Sequence, residues 1–483
     1  MTAAGATLVW FRHDLRLADQ PALRGAIERG GPIVPVYVHA PEDEGHWAPG
    51  GASRWWLLKS LRSLSEALEQ RSSRLIVQHG PTVEALAHLV EQTGATAVYW
   101  CRRYEPEGRR IGEQVKQFCA AHGLEAQSFN GSLLAEPWEV LTKQRQPYQV
   151  FTPFWRALEG RGDPPEPLAA PRKLLATDRW PRSVPLDELK LEPRPVDWAG
   201  GLREAWTPGE QGAATQLKRF VARALTDYET GRDLPATEGV SRLSPFLHFG
   251  EVSPRQVWHA IRTAAQKNSP ACEASGAYLR QLGWRDFAHH LLFHAPQTVD
   301  RPLRESFEHF PWRDDATALR AWERGRTGFP IVDAGMRQLW HTGWMHNRVR
   351  MIAASLLVKD LLIPWQYGSR WFWDTLVDAD LANNTLGWQW VAGCGADAAP
   401  FFRIFNPTSQ GRRFDPEGDY VRRWVPELAR LPGEWIHAPT EAPPEALRAA
   451  GIELDRDYPR PIVDHAQARQ RALAALKQTK TRR

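Results

Sequence analysis

The pattern of apolar residues changes once along the chain, and that change constrains the fold more than any other feature. Over the first 130 residues short apolar runs recur: "TLVWF" (7–11), "PIVPVYV" (32–38), "RLIVQ" (74–78), "TAVYW" (96–100) and "LEAQSF" (124–129). Between them lie longer stretches of helical periodicity, such as "SRWWLLKSLRSLSEALEQR" (53–71) and "TVEALAHLVEQTG" (82–94). Strand–helix alternation at this spacing predicts an α/β domain, a doubly wound parallel sheet with helices on both faces. No GxGxxG follows the first run, so a dinucleotide fingerprint is absent. From residue 209 onward strand alternation ceases and helical patterns take over, among them "GAYLRQLGWRDFAHHLLFHA" and "GMRQLWHTGWMHNRVRMIAASLLVKDLL". This predicts a second, all-α domain. Nine prolines fall within residues 160–208, which reads as a connector wrapped over a surface. The expected division is an α/β domain over 1–130, a connector over 131–208 and an all-α domain over 209–483. The terminal "KQTKTRR" reads as a frayed tail.

Composition narrows the class. A chain of 483 residues is too long for one ordinary core, and 42% hydrophobic with 24% charged residues is globular. No run of 18 apolar residues occurs, so no membrane span is expected. The N-terminus enters an apolar strand directly, without a basic region and cleavage site, so no signal peptide is read. Cys101, Cys119, Cys272 and Cys394 form no CxxC pair, which fits a reduced cytoplasm and gives no metal site. The net charge of +5 leaves a solvated basic face and a nucleic-acid partner both open. Tryptophan is the outlier, with 23 against 9 tyrosines. So many indoles suit a core, and equally stacking or electron transfer.

Three helical segments carry polar and aromatic residues on one face. Gln281, Trp284 and Arg285 are spaced i, i+3, i+4, and Asn347, Arg350 and Met351 repeat that spacing. Asp380, Asn384 and Trp388 form a third stripe at intervals of four. One such stripe is commonly a structural network; three in one domain point to a shared polar cavity. Trp388 and Trp390, two apart on a helix, lie on nearly opposite sides and serve different neighbours. In "GVSRLSPFLHFG" (239–250), Ser241 and Ser244 with nearby backbone N–H groups could hold a pyrophosphate at a helix start, or Ser244 and Ser253 could be N-caps. HExxH, GxSxG, GxxxxGK[ST] and EF-hand patterns are absent, so a cofactor is expected to carry the chemistry.

Taken together, "VWFRHDLRLADQPAL", "GVSRLSPFLHFGEVSPRQVW", "QLGWRDFAHHLL", "WERGRTGFPIVDAGMRQLWHTGWMHNRVRMIAASLLVKDLL" and "DADLANNTLGWQWVAGCGADAAPFFRIFNP" closely resemble the photolyase/cryptochrome family. The resemblance runs from about residue 6 to 460, and the nearest likeness is to class III cyclobutane pyrimidine dimer photolyases. It implies FAD folded into a U in the helical domain. Tyr228 and the loop Val240, Ser241, Arg242, Leu243 and Ser244 match the phosphate cradle. Asp378, Ala379 and Asp380 match the segment facing the flavin and its ribityl chain. Asn384 resembles the residue beside flavin N5, and Arg350 is expected to pair with Asp378, where a buried cation favours an anionic reduced flavin. Trp388, Trp365 and Trp312 match the three indoles of an inward electron-transfer chain. Trp371, Trp373 and Trp322 are read as an alternative branch or as packing. On this reading Trp388 faces the flavin, while Trp390 and Trp284 stack on a pyrimidine dimer flipped out of DNA. Arg232, Arg285, Arg348 and Arg403 match positions at the DNA backbone or the rim of the cleft, which implies salt-dependent affinity. Asn347 and Met351 belong to the same lesion-binding surface.

Two residues depart from the family pattern. Val240 stands where threonine is common. Gln281 stands where dimer photolyases have glutamate; glutamine at that position is usual in the (6-4) photolyase and animal cryptochrome branch. The two histidines that (6-4) repair requires are replaced by Asn347 and Met351, which argues against (6-4) repair. The expected activity is therefore blue-light-driven repair of cyclobutane pyrimidine dimers with efficiency lowered by Gln281; the alternative is a cryptochrome-like photoreceptor. Damaged DNA is the expected partner, 5,10-methenyltetrahydrofolate the expected antenna, and a cytoplasmic monomer the expected form.

Overall fold

The computed structural model describes residues 5–192, 195–267, 269–398 and 402–481. Contacts divide the chain into two compact units. The first comprises Met1–Thr226, Ser241–Pro296 and Val377–Ala379; the second comprises Asp227–Val240, Gln297–Leu376 and Asp380–Arg483.

The first unit is built on five parallel strands: β1 (Thr7–Phe11), β2 (Ile33–His39), β3 (Ile76–His79), β4 (Ala97–Cys101) and β5 (Glu125–Phe129). Their order is β3-β2-β1-β4-β5. Every residue of β1 and β2 is buried, as both-face burial requires, and this is why those runs read as continuously apolar rather than alternating. Leu8, Trp10, Val34, Val36, Ile76 and Val98 pack with Leu86 and Leu89 of one helix and with Ile111, Val115 and Cys119 of another. At the edge, β5 leaves Glu125, Ala126 and Gln127 exposed, and the Tyr99 hydroxyl donates to Glu125. The proline-rich stretch is tied down by backbone bonds, Val184 N–H to Val77 and Leu174 N–H to Arg71. The Pro254–Lys267 helix is capped by a reciprocal pair: Ser253 Oγ accepts the Gln256 N–H at 3.0 Å, and Gln256 Oε1 accepts the Ser253 N–H at 2.8 Å.

A buried acid joins the Gly51–Glu69 helix to the segment ahead of the Glu210–Arg223 helix. Glu251, 1% exposed, meets Trp56 Nε1 at 3.1 Å, Ser60 Oγ at 2.5 Å and the Gly209 N–H at 2.6 Å. The single Ser60 hydroxyl proton also has the Trp56 carbonyl within reach at 3.1 Å. A protonated Glu251 settles the count, donating to Ser60 while Ser60 donates to Trp56. Burial pushes the Glu251 carboxyl up to about 8, so it stays neutral at pH 7. The folded pKa lies above the ordinary 4.5; between the two values unfolding releases a proton, and stability falls as pH rises. The contribution is complete below about 4.5 and lost by about 8. We expect the thermal midpoint of the parent to fall relative to Glu251→Gln between pH 5 and 8; parallel curves in a pH series of melts would remove this assignment.

In the second unit, no β-strand occurs among the described residues. Its frame includes the helices Pro330–Thr342, Asn347–Ser355, Trp365–Thr375, Leu381–Ala392 and His465–Thr481, with a π-helical turn at Leu356–Asp360. The buried Asp333 carboxylate ties three segments together, accepting from Thr327 Oγ at 2.6 Å, the Gly328 N–H at 3.1 Å and Tyr458 Oη at 2.6 Å. The expected frayed tail is corrected. The last helix continues to Thr481, because Ala468, Ala472, Ala475 and Thr479 form a buried stripe at intervals of three and four. His465 Nδ1 lies 2.5 Å from Asp360, and Arg471 donates to the Asp360 carbonyl at 2.6 Å, which docks the start of that helix. Arg482 and Arg483 lie outside the described residues. Among the described residues no helix is long and apolar enough to cross a membrane.

Candidate functional site

The residues singled out in the sequence divide between the two units. In the first, the Ser269–His294 helix carries Gln281, Trp284 and Arg285. A Cβ on Gly283 would come within 2.2 Å of the Trp155 ring, so glycine lets that helix sit against the indole. Trp284 lies flat on Phe151, with centroids 3.7 Å apart and planes 8° from parallel, while staying partly exposed. Gln281 Nε2 donates to the Ala277 carbonyl at 3.1 Å. Two Arg285 donors reach inward, to the carbonyls of Ser132 at 2.5 Å and Leu247 at 3.4 Å. Sequence reasoning missed its neighbour Asp286, whose Oδ2 accepts the Leu134 and Ala135 N–H groups at 2.8 and 3.2 Å. Burial pushes that carboxyl up to about 6.

The loop 241–244 is held from both sides. The Ser241 carbonyl accepts Gln216 Nε2 at 2.7 Å, and Leu243 is buried. Arg242 adopts a left-handed φ of 52°, and its guanidinium sits 4.2 Å from the Trp206 ring centroid. Ser244 is exposed at the first position of the Ser244–His248 helix, whose cap is Leu243; Ser253, by contrast, is an N-cap. Asp378 and Ala379 are buried.

The second unit holds the other candidates. Tyr228 is buried with the Arg232 guanidinium 5.4 Å from its ring centroid, and Val240 is half-buried. On the Asn347–Ser355 helix, Asn347 Nδ2 lies 3.9 Å from Met351 Sδ. Arg348 pairs with Asp233 at 2.7 Å, and its guanidinium sits 4.4 Å from the Phe414 ring centroid. Arg350 Nε donates to the Met345 carbonyl at 2.8 Å. The cap of this helix, His346, had no signal in the sequence: its Nδ1 accepts the Arg348 N–H at 3.2 Å, and burial pushes its pKa down to about 4. It is therefore a neutral imidazole at pH 7.

The Leu381–Ala392 helix brings the stripe together. Asp380 is its N-cap, accepting the Asn383 N–H at 2.8 Å, and Asn384 and Trp388 follow one turn apart. Trp388 is 2% exposed and lies against the Trp365–Thr375 helix, where a Cβ on Gly368 would be 2.1 Å from the indole. Its ring neighbours are Phe372 at 5.0 Å and Trp322 at 6.1 Å. Trp322 is fully buried, donates Nε1 to the Ala353 carbonyl at 2.9 Å and stacks on Phe372. Trp365 is buried and Trp312 half-exposed beside Phe310. Trp371 is half-buried and stacks on the exposed Trp340 at 5.9 Å, and Trp373 is half-buried. Trp390, on the other side of the helix from Trp388, is half-buried with the Arg403 guanidinium 5.9 Å from its ring centroid. Sequence reasoning missed Ser369, whose carbonyl and hydroxyl each accept from Asn384 Nδ2 at 3.0 Å.

Comparison with known proteins places this arrangement. Residues 278–478 match the family described as the FAD binding domain of DNA photolyase, and residues 7–172 match the DNA photolyase family. A deoxyribodipyrimidine photo-lyase from Agrobacterium fabrum is 51% identical over 97% of this chain and 97% of its own. The chain belongs to the photolyase/cryptochrome family. Within that family, cryptochrome-1 of Arabidopsis thaliana is 41% identical over 99% of this chain and 71% of its own. The crystal structure of a bacterial class III photolyase from Agrobacterium tumefaciens superposes with a TM-score of 0.96 at 50% identity, covering 100% of this chain and 99% of that one.

For this photolyase-family chain, the fit of Trp388 against Gly368 sets a first test. Gly368→Ala pushes a methyl into the indole and should cost about 1–3 kcal/mol as an overpacked core. The near-ultraviolet circular dichroism of the buried tryptophans should change with it. A variant with parental stability and spectrum would show that the Trp365–Thr375 helix can shift to make room.

Proposed function

We propose that this protein is a blue-light-driven, FAD-dependent deoxyribodipyrimidine photo-lyase that splits cyclobutane pyrimidine dimers in DNA. The observation that carries the reading is the Leu381–Ala392 helix: a carboxylate cap, an amide and a buried indole follow in register at Asp380, Asn384 and Trp388. The donor chemistry fits a flavin. Asn384 Nδ2 donates to two acceptors on Ser369, and its Oδ1 accepts nothing from the described residues. That leaves an acceptor for a ring N–H.

Tyr228, Val240, Ser241, Arg242, Leu243, Ser244, Arg350, Asp378, Ala379, Asp380 and Asn384 hold the cofactor on this reading. When bound in reduced form, FAD supplies the electron that blue light drives into the dimer and recovers it after the ring opens. Trp388, Trp365 and Trp312 relay electrons inward. Arg232, Arg285, Arg348 and Arg403 meet the DNA strand, and Trp284, Trp390, Gln281, Asn347 and Met351 bind the flipped lesion. One face of Trp284 is already covered by Phe151, so a base can stack on the other. The protein acts as a cytoplasmic monomer with a 5,10-methenyltetrahydrofolate antenna, which cofactor extraction and chromatography would identify.

The decisive experiment is a repair assay on dimer-containing single- and double-stranded DNA, with reduced protein under blue light. Repair in the light and none in the dark is expected. Light-dependent flavin reduction without repair would favour the second reading, a cryptochrome-like photoreceptor, which Gln281 and the 41% identity to cryptochrome-1 support. Trp388→Phe keeps the ring's bulk but oxidises less readily. It should retain FAD and photoreduce much more slowly; parental photoreduction in that variant would redirect the path to another indole.

Gln281 lowers the yield on this reading. Its amide nitrogen is held by Ala277, and glutamine lacks the charge-assisted bond that a glutamate offers a pyrimidine, one roughly twice as strong as a neutral bond. A deficit of about 1 kcal/mol corresponds to about fivefold in rate. Gln281→Glu should therefore bind dimer DNA with parental affinity and repair more per absorbed photon. An unchanged quantum yield would leave Gln281 with no part in repair.

A further inference from the structure

Asn384 is the candidate neighbour of the flavin, and its amide is not free to turn. Nδ2 lies 3.0 Å from the Ser369 carbonyl oxygen and 3.0 Å from Ser369 Oγ. Ser369 is 1% exposed, so both acceptors are withdrawn from solvent. A backbone carbonyl can only accept. The amide must therefore put its nitrogen there, and the orientation follows from chemistry rather than from the near-identical shapes of N and O. With Nδ2 held against two acceptors of one residue, the outward end of the amide is oxygen.

We propose that Ser369 is a positioning residue of the flavin site, fixing the Asn384 amide so that it presents an acceptor and no donor to the isoalloxazine. The proposal rests on the FAD reading above and adds a residue and a sign to it. An oxygen facing the ring can accept from a protonated ring nitrogen and repels a bare lone pair. It therefore stabilises the reduced, N–H-bearing flavin over the oxidised one. The same helix seats the indole: Gly368, next to Ser369, makes room for Trp388 one turn beyond Asn384. Two consecutive residues thus set the geometry of both groups, one by the absence of a side chain and the other by a hydroxyl and a carbonyl.

Removing the hydroxyl takes away one of the two acceptors that hold Nδ2. A buried neutral hydrogen bond of ordinary net strength is a factor of about three to ten in an equilibrium. Two measurements on the purified full-length protein test the proposal. The first uses flavin-free protein with 15N-labelled asparagine. Hydrogen exchange of the Asn384 side-chain amide should be protected in the parent, and about threefold or more faster in Ser369→Ala. Ser369→Thr keeps the hydroxyl and Ser369→Val removes it at equal bulk, so protection should persist in the first and fall in the second. The second is a spectroelectrochemical titration of the flavin-loaded protein. The reduced-to-oxidised ratio at a fixed potential should drop about threefold in Ser369→Ala and return in Ser369→Thr, with flavin content unchanged. An unprotected amide in the parent, equal exchange in the Thr and Val variants, or an unchanged redox ratio in Ser369→Ala would each overturn the proposal. Failure of the parent to bind FAD would instead remove the functional reading, while the exchange experiment still judges the anchor.

Discussion

The close approach of two helices at Gly368 is the constraint on which the site-bearing part of the second unit depends. The Trp365–Thr375 and Leu381–Ala392 helices meet where the glycine has no Cβ and the Trp388 indole fills the space. A side chain there would push the helices apart, lengthen the Ser369–Asn384 bonds and uncover the indole. Phe372, one turn further along, also packs against Trp388 and stacks on Trp322. Packing at native density makes such a junction sensitive to one methyl group, which is why a small residue controls the placement of two large or polar ones.

Electrostatics in this protein follows burial. Glu251 and Asp286 both have carboxyls pushed up by burial despite each accepting two hydrogen bonds, because desolvating a carboxylate costs more than neutral donors return. His346 is pushed the other way for the same reason and serves as a neutral cap. Cations find aromatic or acidic company: Arg403 with Trp390, Arg232 with Tyr228, Arg348 with Phe414 and Asp233. Such contacts limit the rotamer freedom of these guanidiniums.

The cysteines agree with this picture. Cys101, Cys119 and Cys394 are buried and Cys272 exposed, and none is paired. Burial pushes the Cys394 thiol up to about 12, so it stays protonated and serves as a small apolar filler.

Much of this was legible in the sequence, for identifiable reasons. Strands β1, β2 and β4 announced themselves because strands buried on both faces must be short apolar runs, and the all-α unit because helices need a recurring apolar stripe. The Asp380–Asn384–Trp388 stripe was legible because residues four apart share a helix face whatever surrounds them. The terminal helix was misread because its stripe, Ala468 to Thr479, begins before the charged residues that suggested fraying. Ser369, Gly368, Asp286 and His346 gave no signal, since a serine or glycine carries meaning only through what another segment places against it. Spacing along one helix determines which side chains share a face. Which way the Asn384 amide turns, and that Trp388 lies against Gly368, were decided by contacts between residues about 15 to 20 positions apart, and only tertiary packing sets those.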